Sequence, residues 1–394
     1  MVEKFLVSIV SGTNVLRMVE EALDLIGGIT DIVHEGSIVL VKPNLLMPTS
    51  EAGAITNPKV VEGLVEIIKK AKPKEIMIAE SSMVGFDTDK AFEVSGMMEV
   101  AKKTGVKWLN LKKNKFVEVP VTEGKLLKSI KLSEIAVKSD VIVNVPVMKT
   151  HVQTSVTLSL KNMKGLLPDE EKKRFHRLNL EQCIADLNTV VKPKLTIMDG
   201  TTALEGLGPE CPPGKPVAMN LVMAGRNSVA LDAVTAKIMG FDPKEIRHIR
   251  NAAKLGLGTL KIEEIEIKGQ TIDEVARVFE RPPKELVPIQ GVNMIVGSPC
   301  SSCISECMYA GIMLEKYGLS SKIKDLTMAI GPKAKVPEKT KGKLLICGKC
   351  LEKHKDEGAF APGCPPFIFD AISKIYGFKP LSEYVKQTSA RKES

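Results

Sequence analysis

The sequence is poor in aromatic residues, which make up only 4% of its 394 residues. Its hydrophobic fraction of 44% is normal, so the core has to be built mainly from aliphatic side chains and methionine. Few aromatic rings also means few platforms on which the bases of a single-stranded nucleic acid could stack. The scarcity of aromatic residues therefore counts against nucleic-acid binding.

Long hydrophobic runs are also lacking. No segment reaches the roughly 18 consecutive apolar residues of a membrane-spanning helix. The first residues contain a short apolar run but not the pattern of a cleavable signal peptide. We therefore expect a soluble, cytoplasmic protein that does not bind membranes.

The net charge is positive, but no block of the sequence concentrates it. Lys and Arg number 56 against 47 Asp and Glu, which gives a net charge of +9. Lysines dispersed among glutamates are typical of a solvated or heat-tolerant surface rather than of a nucleic-acid footprint. We expect a small anionic ligand as the partner and do not expect nucleic acid.

Apolar runs that resemble strands alternate with amphipathic runs that resemble helices. Strands are predicted at Phe5–Val10, Ser37–Val41, Glu75–Ala79, Trp108–Leu111, Asp140–Val145 and Leu195–Met198. Helices are predicted at Val15–Leu25, Pro58–Lys70, Ala91–Thr104, Ser228–Met239 and Lys244–Leu255. This alternation is typical of βαβ units, so we expect an α/β fold with a doubly wound, largely parallel sheet.

The character of the sequence changes after the double proline Pro282-Pro283, beyond which most of the cysteines lie. We predict an α/β domain over residues 1–290 and a cysteine-rich metal-binding region over residues 291–385. Residues 386–394 are short and polar, and we predict that they form a flexible tail.

Polar residues follow several of the apolar strands directly. They are Lys42, Asn44, Glu80, Lys149, His151 and Asp199. Because ligands of open α/β sheets bind outside the carboxyl ends of the strands, we expect these side chains to converge on one site.

Different roles are predicted for the basic and the acidic residues of this site. Lysines hold phosphate or carboxylate as point charges, so we assign the anionic ligand to Lys42, Asn44, Lys161 and Lys164. The catalytic candidates are Lys149, His151, Glu80 and Asp199, because imidazole and carboxylate groups can transfer protons or bind a metal. The alternative is that the lysines belong to a solvated loop and that the carboxylates cap helices and turns.

For three other residues we predict only the surroundings of the side chain. Asp232 lies inside an apolar helix, where a buried carboxylate needs a partner, and we expect it to bond to a loop backbone. Cys183 is expected to be a core thiol, and His248 is expected to lie on the surface.

Six of the eight cysteines are gathered near the end of the chain. Their arrangement is Cys300-x2-Cys303-x3-Cys307, then Cys347-x2-Cys350, then Cys364-Pro365. Closely spaced thiolates are the usual ligands of soft metals, and a Cys-Pro pair closes the cysteine run of many bacterial-type ferredoxins. We therefore predict an iron–sulfur cluster, of the [4Fe–4S] type, with these six cysteines as candidate ligands. Four thiolates suffice for one such cluster, so the others would be free for redox or substrate contact.

Two alternatives remain open for the cysteines. Zinc is the first, held by the pairs Cys300/Cys303 and Cys347/Cys350, because four thiolates form a structural zinc site. A redox-active dithiol or disulfide is the second.

A set of short motifs, in order, resembles the DUF362 family. The motifs are Val41-Lys42-Pro43-Asn44-Leu45, Thr56-Asn57-Pro58, Ala79-Glu80-Ser81, Pro146-Val147-Met148-Lys149-Thr150-His151, Leu160-Lys161-Asn162-Met163-Lys164-Gly165 and Val229-Ala230-Leu231-Asp232-Ala233-Val234. Asn227-Ser228 departs from the acidic residue and proline that the family has before the last motif. Because members often carry a ferredoxin-like cluster, the resemblance implies an α/β protein associated with iron–sulfur.

These patterns predict an iron–sulfur protein that acts on a small anionic substrate, as an oxidoreductase or as a lyase. The cluster would transfer electrons, exchanged with a redox partner protein, or would act as a Lewis acid. Two alternatives come from other classes of protein: a non-catalytic iron–sulfur or metal carrier that serves as a maturation factor, and a zinc-stabilised binding module.

Overall fold

The double proline Pro282-Pro283 separates two structural units. A computed structural model describes residues 5–211, 213–283 and 288–384. The first unit is Met1–Pro282 and the second is Pro283–Ser394, so the division falls before residue 290, the predicted end of the first domain. The predicted flexible tail, residues 386–394, lies outside the described residues.

The first unit alternates strands and helices along most of its length. Its strands are β1 (Phe5–Ser11), β2 (Ile38–Pro43), β3 (Glu75–Glu80), β4 (Lys107–Asn110), β5 (Phe116–Pro120), β6 (Ser129–Ser133), β7 (Val141–Val145), β8 (Val147–His151), β9 (Ser155–Thr157), β10 (Leu195–Glu205), β11 (Lys215–Val217), β12 (Leu221–Gly225) and β13 (Ile265–Gly269). Its helices are α1 (Val15–Asp24), α2 (Pro58–Lys69), α3 (Thr88–Val94), α4 (Met97–Thr104), α5 (Glu134–Lys138), α6 (Ser159–Asn162), α7 (Asp169–Leu178), α8 (Leu180–Val190), α9 (Ser228–Ile238), α10 (Arg247–Lys254) and α11 (Ile272–Val275).

A large sheet runs through this unit in the order β13-β1-β12-β10-β7-β2-β3-β4. The strands β10, β7, β2, β3 and β4 are parallel, and β12 runs antiparallel to both of its neighbours. The strand β8 extends the sheet alongside the second half of β10, and β9 pairs with β8. The predicted α/β fold with a largely parallel sheet is confirmed.

The central strands are buried on both faces, which explains their continuous apolar sequences. Within β2, Leu40 packs into one hydrophobic cluster, while Val39 and Val41 pack into another cluster on the opposite face. Because successive side chains of a strand point to opposite faces, the sheet needs a layer of helices on each side. The helices α1 and α2 contribute to one cluster, and α8 and α9 contribute to the other.

Most of the predicted elements end within one or two residues of the observed ends, but two of them differ more from the structure. The helix predicted at Ala91–Thr104 is two helices, α3 and α4, because Gly96 adopts a left-handed conformation with φ of 78°. The strand predicted to end at Met198 continues to Glu205, because the polar side chain that follows it is satisfied inside the fold. The carboxylate of Asp199 accepts hydrogen bonds from the backbone N–H groups of Asn57 and Thr201.

The second unit is itself a small parallel α/β sheet. Its strands are β14 (Val292–Val296), β15 (Leu326–Ile330), β16 (Lys343–Cys347) and β17 (Ala359–Ala361), and its helices are α12 (Ser301–Lys316) and α13 (Ile368–Tyr376). The strands lie in sequence order, and each pair of neighbours is parallel. The sequence indicated only a cysteine-rich region here, because these strands are short and the cysteines dominated the pattern.

Across the described ranges, no helix combines the length and the apolar character that crossing a bilayer would require.

Candidate functional site

Most of the predicted site residues of the first unit lie where strands end. Lys42 is near the end of β2, Glu80 ends β3 and His151 ends β8. Asn44 follows β2, Lys149 lies within β8, Lys161 lies in α6, and Lys164 lies in the helical turn after α6. Asp199 instead lies inside β10. The structure therefore collects these side chains at one edge of the sheet but gives them different surroundings.

Lys42 and Glu80 form a buried ion pair between two neighbouring strands. Lys42 Nζ lies 2.7 Å from Glu80 Oε2, and it also donates to the Pro43 carbonyl at 2.8 Å and to Asn162 Oδ1 at 3.2 Å. These three acceptors use the three hydrogens of the ammonium group. Burial lowers the pKa of Lys42, and the Glu80 carboxylate opposes that shift.

Gly165 lies directly against this pair. A Cβ atom at this position would lie 1.9 Å from Glu80 Oε1 and 2.5 Å from Lys42 Nζ. The Gly165 carbonyl accepts a hydrogen bond from the Ser81 N–H at 3.0 Å. Only glycine leaves room for the ion pair, so the turn after α6 closes over the ends of β2 and β3.

Lys149 is held by the same network. Its Nζ donates to Asn44 Oδ1 at 2.5 Å and to the Ala54 carbonyl at 2.9 Å, and the side chain has no exposed surface. The Asn44 amide in turn donates to Asn162 Oδ1, the acceptor that Lys42 also uses. Two asparagine side chains, Asn162 and Asn44, therefore connect the two predicted lysines.

Lys149 also interacts with a carboxylate, that of Glu210, which no sequence pattern indicated. Burial lowers the pKa of Lys149 to about 7, and the carboxylates of Glu80 and Glu210 oppose that shift. Burial raises the pKa of the half-buried Glu210 to about 7, and Lys149 opposes that change. An amine and a carboxyl that both titrate near neutrality are suited to holding or transferring a proton.

Lys172 of α7 is a further buried lysine, and the sequence patterns did not indicate it as a site residue. Its Nζ donates to the Ser81 carbonyl at 2.7 Å, to Ser81 Oγ at 2.6 Å and to the Ser82 carbonyl at 2.6 Å. Burial lowers its pKa to about 7. The side chain attaches α7 to the segment after β3. In the sequence it looked like one of several lysines in a solvated basic run.

Asp199 supports the backbone of two segments. Its Oδ2 accepts from the Asn57 N–H at 2.7 Å, where α2 begins, and its Oδ1 accepts from the N–H and the hydroxyl of Thr201. Burial raises its pKa, and these hydrogen bonds oppose the shift. The carboxylate therefore holds the start of α2 against the centre of the sheet.

Four further bases form a separate group, which we call the basic quartet: His151, Lys161, Lys164 and His176. Lys164 Nζ lies 3.1 Å from His176 Nε2, and Lys161 Nζ donates to Thr157 Oγ1 at 3.0 Å. His151 and Lys161 are buried, with 6% and 9% of their surface exposed. Lys164 and His176 are half-buried. His176 was not among the predicted site residues, because it lies in a helix whose neighbouring residues are mostly charged.

Burial and mutual repulsion both act on the basic quartet. Burial, followed by the charges of Lys161, Lys164, His176 and Lys149, lowers the pKa of His151 well below its usual value. Burial and then Lys164 and Lys161 do the same to His176. The pKa of Lys161 is lowered by burial and by Lys164, and burial lowers that of Lys164 to about 8. The basic quartet thus brings four basic side chains together, and few acidic groups act to offset their positive charge.

The turn that carries Lys161 and Lys164 is fixed by Asp232 of α9. Its carboxylate accepts from the Ser159 N–H at 2.8 Å and from the Leu160 N–H at 3.0 Å, where α6 begins. The expected bond between Asp232 and a loop backbone is therefore confirmed, and Cys183 is a buried thiol as expected. The prediction for His248 was wrong: it is fully buried, because Glu181 Oε2 accepts hydrogen bonds from its backbone and its ring.

The six clustered cysteines lie at the carboxyl edge of the sheet in the second unit. Cys300 immediately precedes α12, which follows β14, and Cys303 and Cys307 lie within that helix. Cys347 is the last residue of β16, Cys350 lies in the turn after β16, and Cys364 follows β17. We call them the six-thiol group. Because the strands are parallel, three separate stretches of the chain deliver thiols to the same edge.

The thiols of this group are close enough to affect one another. The pKa of Cys303 is raised by its contact with the Cys300 thiol and by burial, with smaller contributions from Cys350 and Cys307. Burial, and then Cys307 and Cys350, raise the pKa of Cys347. Cys364 in turn acts on Cys350. Cys300, Cys303, Cys307, Cys347, Cys350 and Cys364 all lie within the described residues, and none of the six forms a disulfide.

The chemistry of the six-thiol group suits a soft metal centre, because its members lie near one edge of the sheet and none of them is used in a disulfide. Within residues 5–211, 213–283 and 288–384, no three His, Cys, Asp or Glu side chains are grouped so that they could hold one metal ion. A closed zinc site would draw four ligands to about 2.3 Å from a single ion. In a four-iron cluster each thiolate binds its own iron, so the sulfurs lie farther apart.

Comparison with known proteins gives a family and several distant likenesses. A thylakoid-associated protein of Synechocystis sp. is 28% identical over 259 residues, which cover 64% of this chain and 78% of that protein. The lactate racemase apoprotein of Thermoanaerobacterium thermosaccharolyticum aligns with a TM-score of 0.39 at 12% identity, over 82% of this chain and 68% of that one. A structural-genomics protein of Thermotoga maritima aligns with a TM-score of 0.41 at 12% identity, over 90% and 93%. The family described as "Domain of unknown function (DUF362)" matches residues 39–237, half of the chain, and the chain belongs to that family.

Proposed function

We propose that this DUF362 protein binds an iron–sulfur cluster of the [4Fe–4S] type through the six-thiol group. We propose further that the cluster serves redox or Lewis-acid chemistry, and that the first unit binds a small anionic ligand. The observation that carries the proposal is the delivery of six free thiols to one edge of a parallel sheet by three stretches of chain. Thiolates brought together in this way are suited to iron–sulfur centres.

The six thiols differ in solvent exposure, which suggests that they would hold different sides of the cluster. Cys303, Cys307 and Cys347 are buried, whereas Cys300 and Cys364 are half-buried and Cys350 is exposed. The buried thiols would hold the inner side of a cluster, and the outer thiols would hold its solvent-facing side. When bound, the cluster would supply electrons, or an iron site that polarises a ligand oxygen.

In the first unit, the proposed roles follow from what each side chain contacts. Lys149, with a pKa near neutrality, and His151 would hold or transfer protons at Nζ and at the imidazole. Glu80 and Asp199 would position the strand ends, because their oxygens accept from Lys42 and from backbone N–H groups. Lys42 and Asn44 belong to the same supporting network.

Iron, sulfide and zinc analysis of the anaerobically purified full-length chain tests the proposal. We expect about four irons and an equal amount of sulfide per chain after reconstitution. Cys347→Ser should lower the iron content markedly, because this thiol is buried within the six-thiol group. Cys183→Ala is the matched control, since this thiol is also buried but lies in the first unit, and it should leave the iron content unchanged. One zinc per chain with no sulfide would contradict the proposal.

Measurements of catalytic activity and of cluster transfer distinguish the enzyme proposal from the carrier alternative. If the protein is an enzyme, His151→Ala should abolish turnover while the iron content stays unchanged, because this residue lies in the first unit. If the protein is a carrier, its cluster should instead move to an acceptor protein, and His151→Ala should have little effect. A labile, transferable cluster would replace the enzymatic part of the proposal.

A further inference from the structure

The basic quartet is built by three separate segments. His151 ends β8. Lys161 lies in α6, and Lys164 lies in the helical turn after α6. His176 lies on α7. The 3.1 Å contact between Lys164 Nζ and His176 Nε2 joins two of these segments directly. Two basic nitrogens can approach this closely only when one of them is unprotonated and accepts the hydrogen bond. The protein alone therefore keeps part of the quartet neutral.

The charges around the basic quartet explain why some of its bases are neutral. Burial lowers the pKa values of His151 and His176, and the charged groups that lower them further are other bases. Glu181 is the carboxylate that acts on Lys161, but its Oε2 already accepts two hydrogen bonds from His248. Cys183 acts weakly in the same sense on Lys164. A buried concentration of bases with so little compensation is stabilised when an anion enters it.

The hydrogen bond of His151 also determines which way its N–H points. Its Nδ1 accepts from the Gln153 N–H at 3.0 Å, so the proton of the neutral ring resides on Nε2. That nitrogen is thus a donor, whether or not the ring is charged. The ammonium groups of Lys161 and Lys164, whose charges act on His151, provide further donors. The quartet offers hydrogen-bond donors of the kind that oxyanions require.

We propose that the basic quartet binds the phosphoryl group of a small-molecule ligand, a tetrahedral oxyanion with two negative charges. This inference rests on the proposed function in one respect, the anionic class of the ligand, and it is independent of the iron–sulfur cluster. A dianion matches the two ammonium groups of Lys161 and Lys164, and the Nε2–H group of His151 adds a further donor. Lys42 donates to three acceptors that include a carboxylate, and Lys149 donates to two acceptors. Lys161, by contrast, donates to a hydroxyl, and Lys164 contacts another base.

Binding of such a dianion is coupled to the uptake of protons. The free protein holds the pKa of Lys164 at about 8 and those of Lys161, His151 and His176 well below their usual values. A bound dianion favours the charged forms and raises these pKa values. By linkage, the affinity for the anion falls as the pH rises through about 8, where Lys164 of the free protein loses its proton.

Isothermal titration of the full-length chain with inorganic sulfate tests the inference, because sulfate remains a dianion throughout the pH range used. We expect saturable binding with about one site per chain, an affinity about tenfold higher at pH 7 than at pH 9, and proton uptake that depends on the buffer. Lys161→Met and the half-buried Lys164→Met should each weaken binding by about tenfold or more. Lys237→Met, an exposed lysine on α9, is the matched control and should bind sulfate as the unaltered chain does.

Two outcomes would overturn the inference. One is the absence of saturable sulfate binding, or equal binding by the Lys161→Met and Lys164→Met variants when their circular dichroism shows that they are folded. The other is tighter binding of acetate than of sulfate, which would assign the quartet to a monocarboxylate. Iron analysis of the same samples keeps this test separate, because loss of sulfate binding with normal iron would leave the cluster proposal intact.

Discussion

Lys42 and Lys161 are both buried lysines of the first unit, but their surroundings differ. Lys42 contacts a carboxylate and two further acceptors, whereas a hydroxyl accepts from Lys161 and two lysines lower its pKa. In the sequence the two residues look alike, because each belongs to a lysine-containing motif next to an apolar segment. A motif shows that a lysine is near the site, but only the three-dimensional contacts separate a supporting lysine from one that is available to a ligand.

The Lys42–Glu80 pair should be sensitive to the loss of one partner. Glu80→Gln would leave the Lys42 ammonium buried without a counter-charge, and we expect a loss of about 3 to 5 kcal/mol in the free energy of unfolding. Glu66→Gln is the control, because the Lys69–Glu66 pair is solvent-exposed and should contribute no more than about 1 kcal/mol. Urea denaturation measures both values. Equal losses in the two variants would show that the buried pair has no special role.

Gly165 provides a steric test of the same region. Gly165→Ala would place a methyl group within 1.9 Å of Glu80 Oε1, so the turn or the ion pair would have to move. We expect a destabilisation of at least about 1 to 3 kcal/mol, the usual cost of overpacking. At Gly12, a Cβ atom would only make an ordinary 3.4 Å contact with Met18. Gly12→Ala should therefore be close to neutral, and thermal unfolding of the two variants should differ clearly.

Among the helices and strands, α7 shows how an element with a charged sequence becomes part of a buried site. Its Lys172 donates three hydrogen bonds to the segment after β3, and its His176 contacts Lys164. Sequence patterns predicted the central strands β2, β3 and β7 well, because strands buried on both faces are continuously apolar. They did not predict the site residues on α7, because a buried lysine that donates to carbonyl groups has the same sequence signature as an exposed one.

Lys172 gives a prediction for the pH dependence of stability. Burial lowers the pKa of Lys172 from 10.5 to about 7 in the folded protein. Asp169 and Glu80 oppose this shift, and Lys112 and Lys164 add to it. Between these values the unfolded chain binds a proton that the folded chain does not bind, so the free energy of unfolding rises with pH. In Lys172→Met this rise should be smaller by about 1 kcal/mol per pH unit.

Urea denaturation at intervals from pH 7.5 to 9.5 measures the two slopes. Other titrating groups are common to both proteins and cancel in the difference. Identical slopes would mean that Lys172 keeps its proton in the folded state. The exposed Lys237→Met variant provides the control for loss of a lysine as such.

On the scale of the whole molecule, the two units carry different chemistry. Basic side chains gather at the sheet of the first unit, and thiols gather at the sheet of the second. The sequence predicted which residue types would gather, because the cysteine spacing and the family motifs are local patterns. It did not predict that the second unit is a parallel sheet, since the pairing of β14, β15, β16 and β17 depends on contacts between distant segments.

If the six-thiol group holds the proposed metal centre, removal of the metal should affect the two units unequally. Chelation of the iron should raise amide hydrogen exchange around Cys300–Cys307, Cys347–Cys350 and Cys364, because metal binding stabilises the loops that supply the ligands. Exchange in β2, β3 and β7 of the first unit should stay unchanged. Hydrogen-exchange mass spectrometry of the chelated and unchelated chain measures both regions. A uniform increase throughout the chain would contradict separate roles for the two units.

The most direct test of the central claim is the low-temperature EPR spectrum of the anaerobically purified full-length chain, recorded before and after reduction and compared with its absorption spectrum. We predict a brown protein with broad absorption that bleaches on reduction, and an EPR signal from the reduced cluster that is lost in Cys347→Ser. A colourless protein without an EPR signal in either state, and with zinc bound instead, would contradict the claim and would make the six-thiol group a structural metal site.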